Sequence, residues 1–220
     1  MLTIYTDGSC IGNPGPGGWA YLIESDTPGF NQNGGPLENS GREASTTNNR
    51  MELMACIEAL ETVKTLVASA PNPSLHTVCL RTDSRYIVDG LTAWLPNWKR
   101  NNWKTATKTP VKNMDLWIRL DALVGSSPIR IGFEWVKAHS GIAGNERVDQ
   151  LAKIQSNKLI VYFFFIPSHN LQCTSFFPRA VAASASNRSQ HSSPYLSTGP
   201  WPHQAPPALS DSLVRDYTCS

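Results

Sequence analysis

Four acids stand where chemistry could use them. Asp7 closes a β-rich run in Thr6-Asp7-Gly8-Ser9, and Asp83 closes another in Thr82-Asp83-Ser84. Glu52 falls in the first turns of a long helical pattern, and Asp149 in a last one, after Asn145-Glu146-Arg147. Alone, each reads as a turn or cap residue. Together they mean more, because ligands collect at strand ends in open α/β sheets. Two carboxylates ~4 Å apart repel by about 4 kcal/mol at an effective dielectric near 20. Four that converge therefore call for a cation. Oxygen ligands without a His or Cys cluster favour Mg²⁺ or Mn²⁺ over zinc. A pair of such ions suits phosphodiester hydrolysis, one activating the attacking water and the other stabilising the leaving oxygen. Spacing alone does not bring the acids together; the fold must.

The elements that would do so are legible in the pattern. Leu2–Asp7 alternates apolar and polar residues and predicts a strand. Cys10–Gly18, dense in Gly and Pro, predicts a hairpin turn into a second strand at Trp19–Glu24. Residues 26–45 are polar and Gly-rich, with room for a third short strand. Leu53, Ile57, Leu60, Val63 and Val67 repeat at helical spacing, which predicts a helix from Asn49 to about Val67 with Thr46 or Thr47 as N-cap. Thr77–Thr82 predicts a strand, with a helix capped by Asp83 or Ser84 through Leu91. A short amphipathic helix is expected over Asp115–Val124, a strand over Ile129–Val136 and the opening of a final helix over Asn145–Lys153. The order predicts a mixed sheet flanked by helices, an α/β architecture of one domain.

The whole chain has 220 residues and a hydrophobic content of 40%, enough for a real core. Its net charge of +2 lies in the tail, since basic and acidic residues balance from Met1 to Lys153. Affinity for a polyanion must come from a local patch. Five scattered cysteines without CxxC spacing predict reduced thiols and neither a disulfide framework nor a zinc site. No signal peptide or membrane-length apolar run is visible, so an intracellular, cytoplasmic or nuclear, protein without membrane contact is expected. From about Ile154 the amphipathic pattern fades. Leu159–Ile166 is a solid apolar block with the composition of an aggregation-prone strand, and Phe177–Ser220 reads as disordered. The division expected is a domain over 1–157 and a foreign tail over 158–220, which would shorten the last helix and loosen Asp149.

The motifs carry a resemblance. Thr6-Asp7-Gly8-Ser9-Cys10, the Gly12–Gly18 loop, Thr46-Thr47-Asn48-Asn49-Arg50-Met51-Glu52-Leu53, Thr82-Asp83-Ser84, and Trp135-Val136-Lys137-Ala138-His139-Ser140-Gly141 with Asn145-Glu146-Arg147 and Asp149 resemble, in order and spacing, type 1 ribonuclease H. The resemblance covers Met1 to about Lys153. It implies a five-stranded mixed sheet flanked by helices and a monomeric enzyme. That enzyme would cleave the RNA strand of RNA–DNA hybrids with two Mg²⁺ (or Mn²⁺) ions and leave 5′-phosphate ends. Asp7, Glu52, Asp83 and Asp149 match the metal-site acids. His139 matches a mobile-loop histidine assisting proton transfer or product release.

The same resemblance implies that Cys10, Asn13, Asn48 and Asn49 line the minor groove of the hybrid, where the 2′-hydroxyl tells RNA from DNA. Thr47 matches a phosphate-pocket residue for the DNA strand, while Arg50 is a weaker match that would support the loop. Between Trp94 and Lys112 the chain interleaves Trp94, Trp98 and Trp103 with Lys99, Arg100, Lys104, Lys108 and Lys112, without an acid. That composition suits a phosphate-backbone platform and looks like the family's basic protrusion. Arg85 departs from the glutamine often found after this Asp-Ser pair. Two alternatives are a hybrid-binding protein impaired in catalysis by its C-terminus and an integrase-like polynucleotidyl transferase.

Overall fold

The computed structural model describes residues 1–26, 35–68, 77–164 and Cys219. Five strands form one sheet: β1 (Leu2–Cys10), β2 (Gly15–Ser25), β3 (Leu37–Thr46), β4 (Thr77–Thr82) and β5 (Arg130–Trp135). Their order is β3-β2-β1-β4-β5. β1 runs antiparallel to β2 and β2 to β3, whereas β1, β4 and β5 are parallel. The mixed sheet expected from the order of elements is present. The third strand is the element least visible in sequence, because β3 is mostly polar and only Thr46 in it is buried.

Helix α1 (Asn48–Ala68) packs on β1 and β2 and meets α4 (Met114–Ser126) on another side. All five periodic residues, Leu53, Ile57, Leu60, Val63 and Val67, are buried in the main core with Leu2, Ile4, Val78, Leu80 and Phe133. The start of α1 is capped as expected: the Arg50 backbone N–H donates to Thr47 Oγ1 at 3.4 Å. A smaller cluster, Tyr5, Ala20, Leu22, Val148 and Ala152, fills the other face of the sheet under α5 (Ala143–Phe164).

The expected helix through Leu91 is broken into three pieces. α2 (Arg85–Asp89) passes into a π-helical turn over Gly90–Trp94 and then into α3 (Leu95–Arg100). Gly90 abuts the Trp117 ring, so a side chain there would collide with the indole. Pro96 stands in the first turn of α3, directly after the π-helical turn. The chain then loops back to α4, with Asn102, Trp103, Lys108 and Asn113 in left-handed conformations. α4 passes through Gly125 instead of stopping at it.

Two expectations about the C-terminal part are corrected. The last helix does not end near Lys153. α5 continues to Phe164, with Ala152 and Ser156 buried and Gln155 Nε2 donating to Ser40 Oγ on β3 at 2.8 Å. The fading apolar stripe misled because α5 covers the sheet with small residues, which carry little hydrophobic signal. Residues 159–164 of the apolar block are helical, not strand, since the first proline comes only at Pro167. The cysteines are not all reduced either: Cys79 on β4 is disulfide-bonded to Cys219. A partner separated by 140 residues leaves no spacing signature. The expected disorder over Phe177–Ser220 lies, apart from Cys219, outside the described residues.

Candidate active site

Register does the first part of the assembly. Thr6 on β1 pairs with Thr82 on β4 in the parallel ladder, so the next residues, Asp7 within β1 and Asp83 just past the end of β4, lie at one level. Asp7 is paired across β2 with Ala20, which lies on the α5 face. Glu52 arrives from α1. Its approach depends on Gly8, where a Cβ would clash with the backbone N of Glu52 and with Met51. A glycine after Asp7 lets helix and strand touch.

One carboxylate oxygen from each of Asp7, Glu52 and Asp83 lies within 4.8 Å of the others. Asp7 is 6% and Glu52 4% exposed. Burial, then the Asp83 carboxylate beside it, raises the Asp7 pKa from 3.8 to about 8. Burial followed by the Asp7 and Asp83 charges pushes Glu52 well above its ordinary range. Glu52 Oε1 accepts from Asn48 Nδ2 at 3.4 Å, whereas Oε2 is buried without a hydrogen-bond partner among the described residues. An orphaned carboxylate oxygen on a residue clustered with two other acids fits a hard divalent cation, and the all-oxygen donor set fits Mg²⁺ or Mn²⁺.

Asp149 joins the cluster from α5 without entering the trio. Its charge adds to the upward shift of the Asp7 pKa, and its Oδ2 lies 2.8 Å from Lys153 Nζ, one helical turn on. The extended α5 anchors it from both sides: Arg147 reaches Glu38 on β3, and Gln155 reaches Ser40.

Residues without an assigned role in the sequence reading also contribute. Asn145, 2% exposed, donates from Nδ2 to Asp83 Oδ2 at 3.1 Å. Trp135 Nε1 donates to the Asp83 carbonyl at 3.0 Å, and the Arg85 guanidinium stacks 3.9 Å from the centre of the Trp135 ring. Asn145 stood inside a recognised motif, and Lys153 follows Asp149 by four residues, so that spacing was available to find it. The Trp135 contact depends on the β4–β5 register and had no linear signal.

The remaining candidates fall into three groups. His139 is exposed, with φ +51°, in the loop between β5 and α5. Ser140 Oγ donates to the Lys137 carbonyl at 2.7 Å, and Gly141 N donates to Glu146 Oε1 at 3.0 Å, which fastens the loop at both ends. Cys10, Asn13, Thr47, Asn48 and Asn49 cluster where β1, the hairpin loop and α1 meet. The Asn48 N–H donates to Asn13 Oδ1 at 3.1 Å, and Cys10 Sγ lies 3.4 Å from the Thr46 carbonyl. Arg50 holds this corner to α4 through a two-pronged contact with Asp115, at 3.1 and 3.0 Å.

The tryptophans of the basic stretch divide. Trp98 and Trp103 pack against the core, and Trp98 lies edge-on to Trp117 with centroids 5.4 Å apart. Trp94 is exposed at 37% and lies 5.6 Å from Trp98. Lys99 is engaged by Asp121 at 2.7 Å, and Arg100 donates to Asn97. Lys104, Lys108 and Lys112 are exposed and form no ion pair among the described residues.

A family model described as RNase H matches residues 1–157. The ribonuclease H of Maricaulis maris is 51% identical over 152 residues, covering 69% of this chain and 91% of that protein. The ribonuclease H of Alcanivorax borkumensis is 53% identical over 152 residues, covering 69% and 88%. Among solved structures, LC9-RNase H1, described as a type 1 RNase H with the type 2 active-site motif, superposes with a TM-score of 0.59. It is 33% identical and covers 72% of each chain.

Proposed function

The chain belongs to the RNase H family, and on that premise we propose that it hydrolyses the RNA strand of RNA–DNA hybrids and leaves 5′-phosphate ends. The observation that carries this reading is the meeting of Asp7, Glu52 and Asp83, from three separate elements, within 4.8 Å of one another. Asp149 stands near enough for its charge to act on Asp7. Two divalent cations bound there would supply an activated water and neutralise charge on the leaving oxygen.

The protein's own groups do the rest. Asp7, Glu52, Asp83 and Asp149 would hold the cations. Asn145 fixes Asp83 through its carboxylate and Trp135 through its backbone, so this acid is preorganised on both sides. His139, exposed on the loop before Gly141, would pass a proton to the departing O3′ or ease product release. Cys10, Asn13, Asn48 and Asn49 present small polar groups suited to a minor groove with 2′-hydroxyls. Thr47 takes a DNA-strand phosphate, and the stretch from Trp94 to Lys112 forms the outlying phosphate platform, with Lys104, Lys108 and Lys112 as its unengaged cations among the described residues, Lys99 and Arg100 at its base, and Trp98 and Trp103 anchoring it to the core. The protein acts as a monomer, and the domain responsible spans 1–157.

The catalytic reading is favoured over the impaired, binding-only one by α5, which runs unbroken past Asp149 and packs through Ser156. The direct test is digestion of matched RNA–DNA, double-stranded RNA and double-stranded DNA with Mg²⁺ and with EDTA. Cleavage of the hybrid's RNA alone, abolished by EDTA, is expected. Hybrid bound and left intact would restore the binding-only reading.

A further inference from the structure

Of the four acids, the one outside the close trio is the one with an ammonium partner. Asp149 Oδ2 lies 2.8 Å from Lys153 Nζ, while Asp7, Glu52 and Asp83 have no cationic partner among the described residues. The Asp149 side chain is 20% and that of Lys153 53% exposed, so the pair sits at the rim of the cluster. An Asp-to-Lys pair four residues apart is common on helix surfaces and contributes a few tenths of a kcal/mol there. Here its acid is also near enough for its charge to act on the buried Asp7. An ammonium at that oxygen supplies the charge compensation that a cation would otherwise bring.

We propose that Lys153 is a built-in counter-ion at the Asp149 side of the site, which lowers its affinity for divalent cations until the negative phosphate of a bound hybrid raises the demand for them. The inference rests on the metal-site reading above and adds to it a residue that sets the order of loading. Lys153 touches an acid of the site and not the reacting atoms, so it is a positioning residue. Its long stem and exposed head let it swing into water when a cation arrives, at little cost.

The test is calorimetric titration of the metal-free full-length protein with Mg²⁺, without substrate, for wild type, Lys153→Met and Lys153→Arg. Methionine keeps the helix propensity and most of the bulk. Wild type is expected to bind Mg²⁺ weakly and Lys153→Met on the order of fivefold more tightly, as a rim charge would produce, with Lys153→Arg close to wild type. In melting experiments the rise in Tm on adding Mg²⁺ should also be larger for Lys153→Met. Circular dichroism confirms that each variant is folded. A Lys153→Met affinity within twofold of wild type overturns the counter-ion role and leaves the metal site intact. If wild type takes up no Mg²⁺ with or without hybrid, the metal-site reading itself fails.

Discussion

Thr6 lies opposite Thr82 in the parallel ladder of β1 and β4, and this one register sets Asp7 beside Asp83. The sheet thereby holds two like charges together in a partly buried place, with a third, Glu52, driven against them by α1. The protein works against itself here, and that tension can be measured.

Replacing Asp7 by Asn should stabilise the metal-free protein while abolishing cleavage. The Asp7 pKa is raised from 3.8 to about 8, so the folded state binds the proton more tightly than the unfolded chain. The stability associated with this group is whole below about pH 4 and is lost as pH rises toward 8. In EDTA, Asp7→Asn is expected to raise Tm at pH 8 by about 4 °C or more, corresponding to at least ~1 kcal/mol, and to leave Tm nearly unchanged at pH 4. Calorimetry across that range checks it; an Asn variant melting lower than wild type at pH 8 would show that repulsion is not the dominant effect.

Asn145→Ala addresses the support beneath Asp83. The substitution removes the Nδ2 donor at 3.1 Å but also removes Oδ1, which is buried and unpartnered. These two losses oppose each other in stability, so the net change should stay within about 1 kcal/mol. Catalysis gains no such compensation, because an Asp83 free to rotate no longer aims its oxygen at the trio. We expect kcat to fall on the order of tenfold with KM changed less than threefold. Steady-state kinetics beside urea unfolding separate the two effects, and an unchanged kcat would remove Asn145 from the site.

Much of this arrangement is readable from sequence, for a physical reason. The strand end before Asp83 and the apolar stripe of α1 are local patterns, and local patterns are what residue spacing encodes, whereas β1 runs past the expected end at Asp7 to Cys10 because it pairs with the glycines of β2. β3 was faint because its side chains mostly face solvent. The reach of α5 was missed because Ala152 and Ser156 bury themselves without bulk. The division of labour among Trp94, Trp98 and Trp103 was hidden too, since a tryptophan reads alike whether it faces a phosphate or the Trp117 ring. The pairing of Lys99 with Asp121 joins two elements that only tertiary packing brings together.

That pairing changes which lysines should carry the electrostatic grip. Lys99 is already engaged by Asp121, whereas Lys104, Lys108 and Lys112 project without ion pairs among the described residues. Each phosphate neutralised contributes about −0.9 to the slope of log K against log salt. Changing Lys104, Lys108 and Lys112 together to Ala should flatten the slope by about 2 to 3 for a hybrid bound in Ca²⁺. Lys99→Ala should change it by less than about 1. Fluorescence anisotropy between low and moderate salt gives the slopes. Equal slopes for the triple variant and wild type would exclude this stretch as a phosphate platform.

The Cys79–Cys219 bond makes the last prediction. It closes a loop spanning 140 residues of sequence, which contains α2, α3, α4, β5 and α5. Joining distant points in the chain removes freedom chiefly from the unfolded state, an effect typically worth 2–4 kcal/mol in the chain-entropy account. Cys79 is also 2% exposed, so a reductant must reach the bond from the Cys219 side. Under oxidising conditions Cys219→Ser should lower unfolding free energy by about 2 kcal/mol, and with strong reductant the variant and wild type should coincide. Urea unfolding in the two conditions measures this, and peptide mapping without reduction identifies the linkage. Because Cys79 lies within β4 four residues before Asp83, which follows that strand, the bond fastens the body of β4 and leaves its catalytic end free. Hybrid cleavage by folded protein should therefore be the same oxidised or reduced, and an activity that follows the redox state would mean the tether reaches the acids after all.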